Sequence, residues 1–235
     1  MRGALQLLHF FHVVPPLPRL MVVAFAAVTL AGMALVALSP LPAGGALTPI
    51  LLLQLFAASS GFAVPARRGH YDLLLTIGHS RVGIAAAHWL TSILPGAAGW
   101  LLLSAAELAF ARESAPSIAS SGSIVALVIV STLPWAMTVA LPRFAGAIGW
   151  MVCVALIGVS LPGERILRTA GSLGGGGTWI ESVLALVLYP PVLVGEPITG
   201  PQGFIVLPAL LLSFAAMTCA LWWIARQDIP LEAAQ

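Results

Sequence analysis

Two strongly polar side chains, Gln54 and His88, lie deep within apolar runs of this sequence and are its first candidates for chemistry. Polar groups in hydrocarbon tend to face protein or a cavity, so each could line a translocation path or contact a partner helix. The plainer alternative for each is an interhelical hydrogen bond, worth about 0.6 kcal/mol. His88 could also ligate haem, but haem needs a second axial ligand, and His70 and His79 lie in a polar connector instead of opposite it.

Patterns typical of enzymes are missing from the sequence. It contains no His-Glu-x-x-His and no Gly-x-Ser-x-Gly, and its only aspartates, Asp72 and Asp228, fall outside the apolar runs. It also contains no lysine, whereas a P-loop needs Gly-Lys-Ser/Thr to hold phosphates. We therefore predict no catalytic, cofactor-binding or metal-binding residue here. If the activity is ATP-driven, ATP and Mg bind to another polypeptide.

The composition places the chain in a lipid bilayer. Of its 235 residues 60% are hydrophobic and 8% are charged, and the mean hydropathy is +1.03, whereas about a quarter of residues are charged in a soluble domain. The net charge of +2 is small and dispersed, so no nucleic-acid partner is expected. Cys153 and Cys219 fall inside apolar runs, where cysteine usually serves as a small hydrophobic residue.

Six runs have the length and apolarity of transmembrane helices. They are residues 20–39, 47–64, 82–104, 124–141, 144–161 and 205–224. We predict an all-α polytopic membrane protein in which these six helices form one transmembrane domain. Pro95-Gly96 in the third run and Pro134 in the fourth each remove a backbone hydrogen bond, so kinks are expected there.

Two segments flank or interrupt these spans. Residues 1–19 begin with an apolar stretch, carrying His9 and His12, that is too short to cross and ends at prolines, so we predict an interfacial helix. Residues 162–204 follow the fifth span and include 179–194, a nearly apolar stretch broken by Pro190-Pro191. We predict a re-entrant hairpin there, because a seventh span would put the C-terminus outside.

The arginines set the orientation, since cytoplasmic segments are enriched in them. With the N-terminus inside, seven arginines fall on the inner side and three on the outer side. The inner ones are Arg2, Arg19, Arg67, Arg68, Arg81, Arg143 and Arg226, and Trp222 and Trp223 fit an inner interfacial belt. Five glutamates then fall outside, where solvated or interfacial roles are the default: Glu107, Glu113, Glu164, Glu181 and Glu196.

The connector at residues 66–81 is the only densely polar island between two long apolar runs. Read at about 100° per residue, Asp72, Thr76 and His79 fall on one helical face. The other face carries Tyr71, Leu74, Leu75 and Gly78. We therefore predict a short amphipathic helix on the cytoplasmic side.

The pattern Arg-x-Gly-x-x-Asp-x-Leu-Leu-x-x-x-x-Ser-Arg at residues 67–81, followed by Ala87-His88-Trp89, resembles the loop after the second helix of ABC-2 type transporter permeases. The sequence departs from that pattern at Arg67 and Arg68, where an acidic residue is common before the glycine. Residues 1–19 are similar to the elbow helix of the family, and 162–204 to its short outer re-entrant helices.

The resemblance implies that the connector is a coupling helix that docks on a separate ATP-binding cassette subunit. The implied coupling residues are Arg67, Arg68, Gly69, His70, Tyr71, Asp72, Leu75, Thr76, His79 and Arg81. It also implies an exporter subunit in the inner (cytoplasmic) membrane, with both termini in the cytoplasm. A second permease copy or homologue would complete the translocation path. No cofactor is expected in this chain.

Two alternatives remain. The membrane subunit of the haem exporter of cytochrome c maturation has a similar size and an Ala-His-Trp near its third span, although the long outer segment fits it less well. A haem-binding membrane anchor is the other. A Soret band in the absorption spectrum would identify the anchor.

Overall fold

The computed structural model describes residues 19–38, 43–60, 69, 71–110, 118–140, 193–194 and 203–226. The described residues form helices joined by turns and include no β-strand. The helices are α1 (Arg19–Leu38), α2 (Thr48–Ser60), α3 (Asp72–Thr76), α4 (Arg81–Phe110), α5 (Ser121–Ala140) and α6 (Gly203–Arg226), with a 3₁₀ turn at Ala43–Ala46 before α2.

Four of these helices are long and apolar enough to cross a membrane: α1, α4, α5 over Ser121–Val139, and α6 over Val206–Arg226. They match the predicted first, third, fourth and sixth spans. The described part of the second, α2, is a shorter apolar helix of 13 residues. The predicted helix at 1–18, the fifth span at 144–161 and nearly all of the hairpin at 179–194 lie outside the described residues.

Helix starts follow ordinary capping rules. The Ser80 hydroxyl accepts the Gly83 N–H at 3.1 Å before α4, and the Ser120 hydroxyl accepts the Ser123 N–H at 3.2 Å before α5. Pro49 lies in the first turn of α2, where its missing N–H has no intrahelical partner to lose. The polar residues that precede α4 and α5 therefore fix where these helices begin.

Helix α5 is the centre of the bundle. In its apolar stretch 72% of the residues are buried, against 22% in α1, 33% in α4 and 28% in α6. It packs against α2, α4 and α6, while α1 packs on α2 and α4. The outward faces of α1, α4 and α6 are apolar, with exposed side chains that include Leu30, Leu94, Leu101, Leu211 and Phe214. Such faces are suited to lipid.

Two hydrophobic clusters define the two ends of the bundle. The connector-end cluster includes Tyr71 and Leu74 around α3, Ala58, Ile84, Ala85, Trp135, Ala136, Val139, Met217, Ala220 and Ile224. The far-end cluster includes Val36, Leu47, Ile50, Leu51, Leu103, Ala106, Ile118, Ala126, Leu127, Leu193, Val206 and Ala209. Helices α2, α5 and α6 thus all end near the connector, while α4 begins there. Consequently α5 and α6 run parallel.

Glycines bring α1, α2 and α4 into close contact. A Cβ atom at Gly99 would lie 2.9 Å from Ile50 Cδ1 and 3.0 Å from Thr29 Oγ1, and one at Gly32 would lie 3.0 Å from Leu103 Cδ2. Small residues let helix backbones approach in this way. Because residues 29 and 32 face 99 and 103 in the same order, α1 runs parallel to α4, and Arg19 lies toward the connector end.

Candidate functional site

The connector helix α3 is shorter than the sequence predicts. It ends at Thr76, and Gly78 follows with φ 91°. The Gly78 N–H bonds to the Leu75 carbonyl at 3.0 Å and the His79 N–H to the Leu74 carbonyl at 3.1 Å, the paired bonds of a Schellman cap. The predicted helical face of Asp72, Thr76 and His79 was therefore wrong for His79, which lies beyond the helix.

A second glycine shapes the approach to α3. Gly69 has φ 70°, and its carbonyl accepts the Asp72 N–H at 3.1 Å. A Cβ atom there would lie 2.8 Å from Asp72 Oδ2 and would be strained whatever the space, because side chains rarely adopt this φ. Arg67, Arg68 and His70, three of the predicted coupling residues, lie outside the described residues.

One face of α3 is held by the bundle. Tyr71 and Leu74 are buried in the connector-end cluster and Leu75 packs partly against it. Burial raises the pKa of the Tyr71 hydroxyl above its ordinary value, so this side chain stays neutral. Thr76, Ile77 and Gly78 are exposed, and Asp72, His79 and Arg81 are half-buried. The connector thus offers an outward surface around Thr76 and Ile77, while Tyr71 and Leu74 pack it against the bundle.

His88 joins the connector to the centre of the bundle. Its fully buried ring accepts a hydrogen bond at Nδ1 from the Trp135 indole N–H of α5 at 3.3 Å. Tyr71 meets it edge-on, with ring centroids 6.1 Å apart and planes at 77°. An accepting Nδ1 requires the proton of the neutral ring to lie on Nε2. A metal-ligating histidine normally donates from its second nitrogen, so this geometry disfavours His88 as a haem ligand.

Gln54 makes the interhelical hydrogen bond that was the plainer of its expected roles. Its Nε2 donates to the Ser92 carbonyl of α4 at 3.2 Å. Its Oε1 is buried and has no hydrogen-bond partner among the residues that the structure describes. The amide fills a notch at Gly96, where a Cβ atom would overlap Oε1. Gln54 and His88 are both fully buried within this single chain.

A polar layer lies between the two hydrophobic clusters. Its members are fully buried and come from four helices: Gln54 on α2, Ser92 on α4, Ser131 and Thr132 on α5, and Ser213 on α6. The Ser131 and Ser213 hydroxyls donate to carbonyls four residues earlier, at 2.7 and 2.9 Å. Within the described part of the chain, Thr132 Oγ1 has no hydrogen-bond partner. Only Gln54 of this mid-bundle layer was predicted, because single hydroxyls in apolar runs carry no pattern.

Glu107 departs from its expected solvated role. It is buried near the end of α4, and its Oε2 accepts the backbone N–H groups of Ile118 at 2.8 Å and Ala119 at 3.2 Å. The Trp100 indole N–H donates to the Ile118 carbonyl at 2.9 Å. Glu107 therefore holds the turn that leads into α5. Among the described residues, no three His, Cys, Asp or Glu side chains come together as a metal site requires.

No protein-family model, curated protein or solved structure matches the chain. Without such a match, the arrangement of α3 is the structural feature that bears on function.

Proposed function

We propose that the chain is the transmembrane subunit of an ATP-driven ABC-2 type exporter. A separate ATP-binding cassette subunit would power it, and a second permease copy or homologue would complete the translocation path. The observation that carries this proposal is the mounting of α3, which has glycine turns at both ends and is fixed to the bundle by Tyr71 and Leu74. A short helix held in this way can transmit the movement of a docked partner to the spans.

The proposed topology has six spans, with both termini in the cytoplasm. Because α5 and α6 run parallel, the chain would cross the membrane an odd number of times between the end of α5 and the start of α6. A fifth span at 144–161, with a re-entrant hairpin at 179–194 that does not cross, would supply one crossing. A seventh span would make α5 and α6 antiparallel. Leu193 in the far-end cluster also fits a hairpin that returns to the outer side.

Cysteine labelling tests this orientation. Gly45 lies in the exposed turn before α2, where a Cβ atom would have no neighbour within 4 Å, and Ile77 is exposed beside α3. In a chain lacking Cys153 and Cys219, we expect an impermeant reagent on intact cells to label Gly45→Cys and not Ile77→Cys. The reverse pattern would contradict the cytoplasmic position of the connector.

Docking of α3 on the ATPase makes a second prediction. A helix laid in a groove gains its binding energy at a few central anchors, so Asp72→Ala and a bulky Thr76→Trp should each cost about 2 kcal/mol, or roughly 30-fold in affinity. Assembly with the co-purifying ATPase and transport-linked ATP hydrolysis are the measurements. His79→Ala should cost less, because His79 lies beyond the helix.

A matched bulky substitution, Gly45→Trp, serves as the control on the opposite side of the membrane. It should leave assembly and ATP hydrolysis unchanged. Wild-type assembly and coupling in both Asp72→Ala and Thr76→Trp would mean that α3 is an ordinary connecting turn, and failure of any ATPase to co-purify would argue against a transporter.

A further inference from the structure

The transition between the two halves of the bundle falls at one place on α4. The residues before Pro95, including Ile84 and Ala85, pack in the connector-end cluster, whereas Leu103 and Ala106 after it pack in the far-end cluster. Pro95 lacks the N–H that would bond to the Thr91 carbonyl, and a proline weakens this turn of a helix. The helix nevertheless continues without interruption from Arg81 to Phe110.

The turn before Pro95 carries further features that bend helices. The single Thr91 hydroxyl proton is shared between the carbonyls of Ala87 at 2.8 Å and His88 at 2.9 Å, and the Ser92 hydroxyl donates to the Trp89 carbonyl at 2.8 Å. Hydroxyls that bond back to the preceding turn tend to bend a helix and weaken its own ladder. Residues 91–96 of α4 therefore combine a missing backbone hydrogen bond with hydroxyls bonded to the preceding turn, and both features weaken a helix locally.

Gln54 contacts this segment at two points. Its amide nitrogen donates to the Ser92 carbonyl, and its amide oxygen occupies the space that Gly96 leaves by having no side chain. The amide oxygen has no hydrogen-bond partner in the described part of the chain, although a buried oxygen without one is costly. The site therefore matches the shape of the amide against the α4 turn, although it provides no hydrogen-bond donor to the amide oxygen among the described residues.

We propose that Gln54 is a latch on a hinge in α4: its amide, seated at Gly96 and bonded to the Ser92 carbonyl, fixes the angle between the two halves of α4 at Pro95. Releasing the latch allows the connector end, with Tyr71, His88 and α3, to move relative to α1. The mid-bundle layer is the level at which this movement occurs. The proposal does not depend on whether an ATPase binds α3.

Distance measurements between spin labels test the latch. Labels at Leu20→Cys on α1 and Ile77→Cys beside α3, both exposed positions, report the connector end against α1 in a chain without Cys153 and Cys219. Gln54→Met keeps the length of the side chain and removes its hydrogen bond to the Ser92 carbonyl. We expect it to broaden or shift the distance distribution by several ångströms, since a 20° change at Pro95 moves residue 77 by about 7 Å.

Pro95→Ala provides the decisive control, because it restores a backbone bond to Thr91 and makes the latch unnecessary. In that background Gln54→Met should leave the distribution unchanged. An unchanged distribution in the Gln54→Met chain with Pro95 present, or an equal change with and without Pro95, would overturn the proposal.

Gly96→Ala tests the latch without altering residue 54, because its methyl group displaces the Gln54 amide from its position against α4. If Gln54→Met does not yield folded protein, the same criteria apply to Gly96→Ala. Backbone amides 92–100 should then exchange hydrogen about fivefold faster than in the unaltered chain, as expected for one lost hydrogen bond. Unchanged exchange would also overturn the latch.

Discussion

A chain carrying Trp135→Ala is expected to lose about 3–5 kcal/mol in the free energy of unfolding. Trp135 is the largest fully buried side chain among the described residues and lies in the connector-end cluster between α4 and α6. Its removal leaves a cavity beside His88 and deletes the hydrogen bond from the indole N–H to the imidazole Nδ1. Reversible unfolding in mixed detergent micelles measures the loss.

Two further substitutions separate the parts of this effect. Trp135→Phe keeps one aromatic ring in the site and loses the indole N–H together with part of the ring volume, so it should cost less than the alanine substitution, about 1–2 kcal/mol. Trp223→Ala, on the exposed face of α6, should cost less than about 1 kcal/mol. Equal losses in Trp135→Ala and Trp223→Ala would mean that the contacts of Trp135 do not hold the connector end together.

The second large effect is expected at the far end of the bundle, where Glu107→Ala should cost about 2–4 kcal/mol. The substitution leaves the N–H groups of Ile118 and Ala119 without their carboxylate acceptor in a buried turn, at about 1–3 kcal/mol for a buried unsatisfied group. Glu107→Gln should cost about half as much, because a neutral amide oxygen can accept both N–H groups in weaker bonds.

Leu108→Ala is the matched control, since the neighbouring side chain is exposed and its loss should cost less than about 0.5 kcal/mol. The unfolding measurement is combined with hydrogen exchange at Ile118 and Ala119, which should speed up in Glu107→Ala alone. A Glu107→Ala chain as stable as Leu108→Ala would show that the carboxylate does not hold the turn.

Apolar length predicted four helices that are long and apolar enough to cross a membrane, because the partition of a hydrophobic run into lipid depends mainly on its own composition. The runs predicted at 20–39, 124–141 and 205–224 became α1, α5 and α6 with ends that differ by at most three residues. The end of α4 was missed by six residues. The sequence marks Glu107 as a charge that ends a span, whereas the fold pairs it with the turn before α5.

The site was less predictable than the helices. Gly78 could have marked the end of α3, since a glycine after a short helix often takes positive φ, but the amphipathic pattern continued through it to His79. The partners of His88 and Gln54 were beyond the reach of the sequence. Trp135 and Ser92 contact them only because α4, α5 and α2 pack in one particular register.

The central position of α5 has a consequence for the biogenesis of the protein. When α5 leaves the ribosome, α2 and α4 are already made, whereas the end of α6 follows roughly 90 residues and 4–18 s later at ordinary rates of synthesis. During this interval the face of α5 that packs against α6 in the finished bundle lacks that partner. Newly made chains should therefore remain associated with the insertion machinery until α6 arrives.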